Sequence, residues 1–209
     1  MIISFKLVVA AVVLGIFAVS MSGVTAQQQT PTTLRAVRFN GDMTSLLAEM
    51  PHAYGVTVGL ELDTQGYQRV EMDLSDASIT DVMHAIVQSS KKYQWRQTDR
   101  FVEIWPLTGS NPLLETRISS FNFKDLSASQ AFDQLLNSPE VQANMTTLNL
   151  KRRVPDLSPG KVSISRFSLN LEGLTLREAL NKIAHESHIE IWIFRNYPNG
   201  FFSISSGER

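Results

Sequence analysis

Two stretches of this 209-residue sequence match each other: LSDASITDVMHAIV at residues 74–87 and LEGLTLREALNKIA at residues 171–184. Their apolar residues recur at a constant separation of 97 residues, which pairs Leu74 with Leu171 and Met83 with Leu180. Beyond the two stretches, the same separation pairs Trp95 with Trp192. A fixed separation of this kind indicates an internal repeat, so we predict two diverged copies of one unit.

The apolar periodicity predicts two helices in each copy. Helical spacing is found at residues 43–50, 79–87, 128–136 and 176–184. Three of these helices begin with a capping-box pattern, in which the first side chain and a side chain three residues later satisfy free backbone amides. The three boxes are Ser78 with Asp81, Ser127 with Gln130, and Thr175 with Glu178. Because start signal and periodicity agree, we expect helices to begin at these positions.

Between the helices, apolar and polar residues alternate with a period of two, as in residues 56–62 and 70–74. Each copy is therefore predicted to follow the order β-α-β-β-α-β-β, which makes the chain an α+β protein. We expect two tandem modules, at residues 35–107 and 118–206, joined by a linker at residues 108–117. Each module is expected to form a small mixed sheet with two helices on one face.

The first 26 residues have the pattern of a secretory signal peptide. An apolar run from Leu7 to Val19 follows Lys6, and Val24-Thr25-Ala26 supplies the small residues that precede a cleavage site. We therefore predict export, with the periplasm as the destination. The sequence has no cysteine, which excludes disulfides, thiol catalysis and zinc–thiolate sites.

The charge balance argues against a nucleic-acid-binding protein. The 19 Lys and Arg residues face 20 Asp and Glu residues, for a formal net charge of −1. Binding to phosphate backbones requires an excess of cations on one surface. No segment after the first 26 residues reaches the roughly 18 apolar residues of a membrane helix, so no membrane span is predicted in the mature chain.

The repeated unit resembles the short N-terminal domain shared by secretins and TonB-dependent receptors, known as the STN or secretin N0 type. The resemblance rests on the strand Val70-Glu-Met-Asp-Leu74, the helix at residues 79–87 and the following Tyr93-Gln-Trp95, and on LEGLTLREAL at residues 171–180. It implies a periplasmic protein–protein interaction module in envelope transport, secretion or signalling. The implied partners are a secretin, a TonB-dependent receptor or an inner-membrane regulator, and no cofactor is implied.

Few residues suggest catalysis. His185 and His188 lie three residues apart at a predicted helix end, which leaves a small periplasmic metal-binding protein or hydrolase as the alternative function. The serines do not form a nucleophile motif, and Glu61 and Asp63 are explained by a solvated strand face. We therefore predict a protein that is not an enzyme, with no catalytic, cofactor or metal site. A third hypothesis is a ligand site between the copies.

Four residues are candidates for partner binding: Lys151, Arg152, Arg153 and Trp192. The three cations lie in an insertion found in the second copy alone, which is expected to form an exposed loop. Trp192 should share one strand face with Phe194, and the isoleucines at 189, 191 and 193 should take the other face, towards the helices. Trp192 would then pack between the copies or under a loop, or it would anchor a partner. We expect docking along a free sheet edge, with the second copy favoured because of its cations.

Overall fold

All four predicted helices are present, and a short fifth helix follows the third. The computed structural model describes residues 34–63, 68–153 and 165–207, which lie in one compact unit of the chain. The predicted signal peptide and residues 154–164 of the predicted loop are outside the described residues. The helices are α1 (Met43–Tyr54), α2 (Ile79–Ser90), α3 (Ala128–Leu136), α4 (Pro139–Thr147) and α5 (Leu176–Glu186).

The three predicted capping boxes are confirmed. In the box of α5, for example, the Thr175 hydroxyl accepts from the backbone amide of Glu178, and Glu178 accepts from the amide of Thr175 at 2.7 Å. Helix α4 was not predicted, because Val141 and Met145 are its only buried side chains. Two apolar residues are too few to give a periodic signal.

Ten strands complete the described part of the chain and confirm the α+β class. They are β1 (Leu34–Asp42), β2 (Thr57–Asp63), β3 (Arg69–Ala77), β4 (Tyr93–Thr98), β5 (Phe101–Pro106), β6 (Arg117–Ser127), β7 (Lys151–Arg152), β8 (Arg166–Thr175), β9 (Ile191–Tyr197) and β10 (Phe201–Gly207). We call residues 34–106 the first half and residues 117–207 the second half.

The strands form three sheets, and the largest one joins the two halves. Two sheets have two antiparallel strands each, β1 with β3 and β6 with β8. The third sheet has six strands in the order β4-β5-β2-β9-β10-β7. The prediction of one small mixed sheet per module is therefore wrong, because each half divides its strands between a sheet of its own and a shared sheet. Strands β2 and β9 pair in parallel from Val58 with Ile191 to Asp63 with Asn196. We call the line along which they pair the seam.

The two halves follow the same pairing scheme on either side of the seam. In the first half, β5 is antiparallel to β4 and parallel to β2. In the second half, β10 is antiparallel to β9 and parallel to β7. The halves differ in the last strand of each set, since β2 has seven residues and β7 has two.

The six-stranded sheet carries one hydrophobic core on each face. Ile191 and Ile193 pack into the core that contains α1 and α2, together with Val58 and Leu60. Trp192 and its face neighbours pack instead into the core that contains α3 and α5. The helices of the two halves thus cover opposite faces of one sheet, since successive residues of a strand point to opposite faces. The prediction that Ile191 and Ile193 face the helices of their own copy is wrong.

The strand pairing of the two hairpins does not keep the separation of 97 residues. Trp95 lies opposite Ile104, and Phe194 lies opposite Ile204 in the second half. Trp95 therefore corresponds to Phe194, and Tyr93 corresponds to Trp192. The earlier pairing of Trp95 with Trp192 is wrong by two residues, because the connection from α5 to β9 is longer than that from α2 to β4.

The segment between the halves is partly ordered by burial. A 3-10 turn spans Pro112–Glu115, and its Leu113 and Leu114 are fully buried in the core of the second half. The Asn111 side chain accepts from the Leu113 amide at 2.9 Å and so caps this turn. Residues 108–117 therefore follow a fixed path beside the seam.

Candidate functional site: the seam and the open edges

The structure places the three predicted partner-binding cations at one end of the six-stranded sheet. Lys151 is exposed on β7. Arg152 forms an ion pair with Asp133 of α3, and 20% of its side chain is exposed. The guanidinium carbon of Arg153 lies 5.6 Å from the centre of the Tyr197 ring. Two of these three cations are therefore already engaged within the chain.

Trp192 is not available as a partner anchor. Its side chain is fully buried, and its ring nitrogen donates to the Asn181 side-chain oxygen at 2.7 Å. The proposal of Trp192 as a partner-binding residue is wrong for this reason. Trp192 does not pack between two sheet faces either, because it lies in the hydrophobic core of its own half together with α3 and α5.

The histidines do not converge on one point. His185 packs edge-to-face against Phe101, with ring centres 5.6 Å apart. His188 is exposed and takes a left-handed backbone conformation, with a φ of 58°. Within residues 34–63, 68–153 and 165–207, no three His, Asp or Glu side chains are grouped so that they could hold a metal ion.

A group of buried polar side chains lies along the seam, and sequence reasoning missed it. We call it the seam cluster, and its members are Glu61, Glu103, Arg177, Asn181 and Trp192. Glu61 on β2 and Glu103 on β5 are each 3% exposed, and Arg177 and Asn181 on α5 are 3% and 5% exposed. The prediction of a solvated strand face is therefore wrong for Glu61, although Asp63 is exposed.

A buried ion pair links β2 to α5 in this cluster. The Arg177 guanidinium donates to Glu61 at 3.0 Å, and the other Glu61 oxygen accepts from the backbone amide of Asn111 at 2.6 Å. Arg177 also contacts Ser110 and pairs with Glu115 at 3.5 Å. One helix residue of the second half thus binds the central strand of the first half and the connection between them.

A second chain of hydrogen bonds runs beside the ion pair. The Asn181 amide donates to Glu103 at 2.6 Å, while its oxygen accepts from Trp192. Glu103 also forms an ion pair with Arg96 of β4. Four strands and one helix are therefore connected through two glutamates. Glu103 accepts from a donor of each half, and Glu61 accepts from the second half and from the connection.

Gly59 permits the close approach of the two halves. A Cβ atom at this position would lie 2.6 Å from the Trp192 ring. No side chain larger than hydrogen fits there without movement of the tryptophan. The glycine in β2 and the tryptophan in β9 are directly opposite each other in the parallel pair.

The seam cluster holds the two halves together and has no free reactive group. Burial raises the pKa of Glu61 above its ordinary value, against the lowering effect of Arg177 and the Asn111 amide. The carboxylate oxygens of both glutamates accept hydrogen bonds from donors within the chain. Neither glutamate lines one of the three surface cavities. Removing one member of a buried ion pair leaves an uncompensated charge, so such pairs fix an arrangement strongly. The sequence signal was a glutamate between two apolar residues in each of two strands, at residues 60–62 and 102–104.

Three cavities lie elsewhere on the described surface. The first has a volume of about 640 Å³ and combines Asp42 of the first half with Arg195 and Tyr197 of the second. The second, of about 480 Å³, lies between β1 and α1 beside His52 and Tyr54. The third, of about 330 Å³, includes Lys91, Lys92 and the exposed Leu107. The first is the cavity that a ligand site between the copies would use.

The six-stranded sheet ends at β4 on one side and at β7 on the other. Among the described residues, β4 pairs with β5 alone, so its other side is an unpaired backbone edge. We call this side of β4 the open edge. It is the longer of the two ends, because β4 has six residues. Cations surround it: residues 91–100 contain four Lys and Arg residues and one acidic residue.

None of the helices in the described ranges combines the length and the apolar character that are needed to cross a membrane. Compared with known proteins, the chain matches no family model, no curated protein and no solved structure.

Proposed function

We propose that this chain is an exported periplasmic docking module, built from two tandem units of the STN type and acting by protein–protein contact. The observation that carries the proposal is the pairing scheme shared by the two halves. Each half has one two-stranded antiparallel sheet, a helix after each strand of that sheet, and a three-stranded set whose middle strand is antiparallel to one neighbour and parallel to the other. The second half has α4 in addition. This is the β-α-β-β-α-β-β unit on which the resemblance to secretin and TonB-dependent receptor domains rests.

Backbone conformation supports the correspondence of the halves. Left-handed residues occur at matching positions: Asp76 and Gly173 precede the second helix of each half by the same distance. Lys91 and His188 follow that helix, and Asp99 and Asn199 form the hairpin turns. A left-handed conformation is uncommon in residues other than glycine. Three matched pairs are therefore independent support for two copies of one unit.

The proposed role as a docking module rests on edges rather than on a reactive centre. Unpaired strand edges offer backbone donors and acceptors to another chain. Charged side chains beside such an edge oppose pairing with strands of like charge and leave it to a strand of opposite charge. In this chain the edge of β4 is both unpaired and flanked by cations. Partners in envelope transport, secretion or signalling follow from the resemblance.

The proposal can be tested by photo-crosslinking in the native envelope. A photoreactive amino acid would replace one exposed residue on each surface: His52 on α1, Gln97 on β4, Lys151 on β7 and Glu172 on β8. We expect one of these positions to capture a secretin, a TonB-dependent receptor or an inner-membrane regulator, identified by mass spectrometry. The other three positions serve as matched controls in the same folded chain.

Two outcomes would contradict this function. One is a set of adducts that is the same at all four positions, since this would indicate random collision. The other is cell fractionation that recovers the chain in the cytoplasm, because an exported docking module must reach the envelope. Stoichiometric zinc in the purified protein, lost when His185 and His188 are both replaced by alanine, would favour the alternative metal-binding function.

A further inference from the structure

The seam shows how this fold accepts an extended segment. Strand β2 pairs with the outer side of β9, and the Val58 amide donates to the Glu190 carbonyl at 2.9 Å at the start of this pairing. In the second half, β9 has the position that β4 has in the first half. The outer side of β9 is occupied by β2, whereas the open edge of β4 has no partner strand among the described residues.

We propose that the open edge of β4 binds an extended acidic segment of a partner protein, in parallel, as β2 binds to β9. This inference rests on the proposed docking function and assigns its surface. The hydrogen-bonding direction of β4 agrees with it. The Leu107 amide donates to the Lys92 carbonyl, so the backbone groups of Lys92 point towards β5. Because backbone groups alternate along a strand, those of Tyr93, Trp95 and Gln97 face away from β5.

The accessible part of the edge begins at Trp95. Tyr93 is 1% exposed, so its backbone groups are not free to bind. Trp95 is half-buried, and Gln97 is exposed. A partner strand can therefore form main-chain hydrogen bonds from Trp95 onwards, which is enough for a short added strand.

Strand β2 also indicates which side chains suit this edge. Along the seam, Glu61 lies opposite Phe194, and Asp63 lies opposite Asn196. The corresponding residues on the open edge are Trp95 and Gln97. An added strand that resembles β2 would therefore place its acidic side chains opposite these two residues. The intervening apolar residues, Leu60 and Leu62 in β2, would lie on the other face of the added strand.

Charge favours an acidic strand, such as one with the composition of β2, over β7 of a second copy. Lys91 and Lys92 precede the accessible edge, Arg96 lies within it, and Arg100 follows it. Lys91, Lys92 and Arg100 form no ion pair among the described residues, while Arg96 pairs with Glu103. His84 packs on Trp95 with ring centres 5.6 Å apart and occupies the position that Asn181 has beside the seam. The other free strand, β7, carries Lys151 and Arg152, so like charges oppose end-to-end pairing of two copies.

The experiment uses the purified full-length chain and a synthetic peptide with the sequence of β2, TVGLELD, blocked at both ends. Backbone amide shifts in nuclear magnetic resonance spectra report where the peptide binds. We expect shifts confined to the region of Trp95 and Gln97. The same peptide with both acidic residues replaced by lysine should bind about fivefold more weakly at low salt, and this difference should shrink at physiological salt.

Gln97 provides a matched pair of variants. Gln97→Pro removes the outward amide while leaving the pairing with β5 intact, as proline is tolerated on an outward-facing edge position. We expect this variant to bind the peptide about tenfold more weakly, because one main-chain hydrogen bond is lost and the ring obstructs the added strand. Gln97→Ala keeps the amide, so its affinity should stay within about twofold of the original. Unchanged amide shifts elsewhere in β4 and β5 show that both variants are folded.

Several results would overturn the assignment: shifts that map to β7 or to a cavity, no binding at all, or equal affinity in Gln97→Pro and Gln97→Ala. Line broadening that depends on protein concentration alone would indicate a second copy at the edge and would also overturn it. If the peptide does not bind but the envelope crosslink captures a partner, only the assignment of the β4 edge is contradicted. Peptide binding at β4 without an envelope partner would instead contradict the proposed function.

Discussion

Helices α2 and α5 hold corresponding positions in the two halves, but their polar sides have different surroundings. Arg177 and Asn181 of α5 are buried at the seam, while Thr80 and His84 occupy the corresponding positions of α2 and are exposed. The apolar sides match, since Met83 and Leu180 are both fully buried. The apolar pattern therefore fixes where a helix packs on its own sheet. A neighbouring strand from the other half decides whether its polar side meets water.

The largest effect is expected for the buried ion pair. Arg177→Ala leaves Glu61 buried without its counter-charge, which should lower the free energy of unfolding by about 3–5 kcal/mol. Thr80→Ala, the corresponding change on α2, should stay within about 0.5 kcal/mol. Urea unfolding of both variants checks the difference.

A double variant sharpens this test. Arg177→Met with Glu61→Leu removes both charges and should recover most of the loss, because apolar pairs of similar volume often replace buried ion pairs without cost. Equal losses in Arg177→Ala and Thr80→Ala would show that the two helices have the same surroundings.

The next largest loss of stability is expected at two corresponding buried positions, one in each half. Leu180→Ala and Met83→Ala each remove a fully buried side chain, and each should cost about 2–5 kcal/mol. The two losses of stability should be similar, because each residue lies on a helix and points into a hydrophobic core. Chemical denaturation monitored by circular dichroism measures both. A loss below about 0.5 kcal/mol in one variant alone would contradict the equivalence of these positions.

A smaller effect is expected at Gly59. Gly59→Ala places a methyl group against the Trp192 ring, and overpacking of this kind should cost about 1–3 kcal/mol. Trp192→Phe removes the ring atoms that the methyl group would contact. In a double-mutant cycle, the alanine should therefore cost less in the Trp192→Phe background than in the original chain. Additive losses would show that the two residues do not touch.

The smallest effect is a pH dependence that belongs to Glu61. Since burial raises its pKa above the ordinary 4.5, the folded state binds the proton more tightly than the unfolded state. Stability from this group is therefore greatest at low pH and is lost as pH rises above 4.5 through the folded pKa. The difference in free energy of unfolding between the original chain and Glu61→Gln should fall as pH rises through this window. A difference that rises there would contradict the direction.

Much of the local structure could be predicted from the sequence. The helix starts at Ser78, Ser127 and Thr175 each have a capping box as well as apolar periodicity, and these two signals are both local. The alternating strands on either side were predicted for the same reason. Helix α4 was not predicted, because its two buried residues, Val141 and Met145, do not form a periodic pattern.

The sharing of one sheet could not be predicted, because the pairing of β2 with β9 is not a local property. Alternation shows which residues of β2 share a face, but not that both faces are covered. Glu61 was therefore interpreted as solvated. For the same reason Trp192 was considered a partner anchor, although Asn181 and Gly59 bury it. Glutamates with apolar neighbours on both sides in a strand were the available signal of a buried polar contact.

The central position of β2 also sets the order in which the chain can be completed. One neighbour of β2 is β5, where Thr57 pairs with Phe101, but the other is β9, where Val58 pairs with Ile191. The second neighbour lies about 133 residues after Val58 in the chain. Until β9 is available, one edge of β2 stays uncovered, and species with uncovered strand edges aggregate or need a chaperone. A chain that ends before Ile191 leaves β2 without one of its neighbours, so we expect its first half to be destabilised as well as its second.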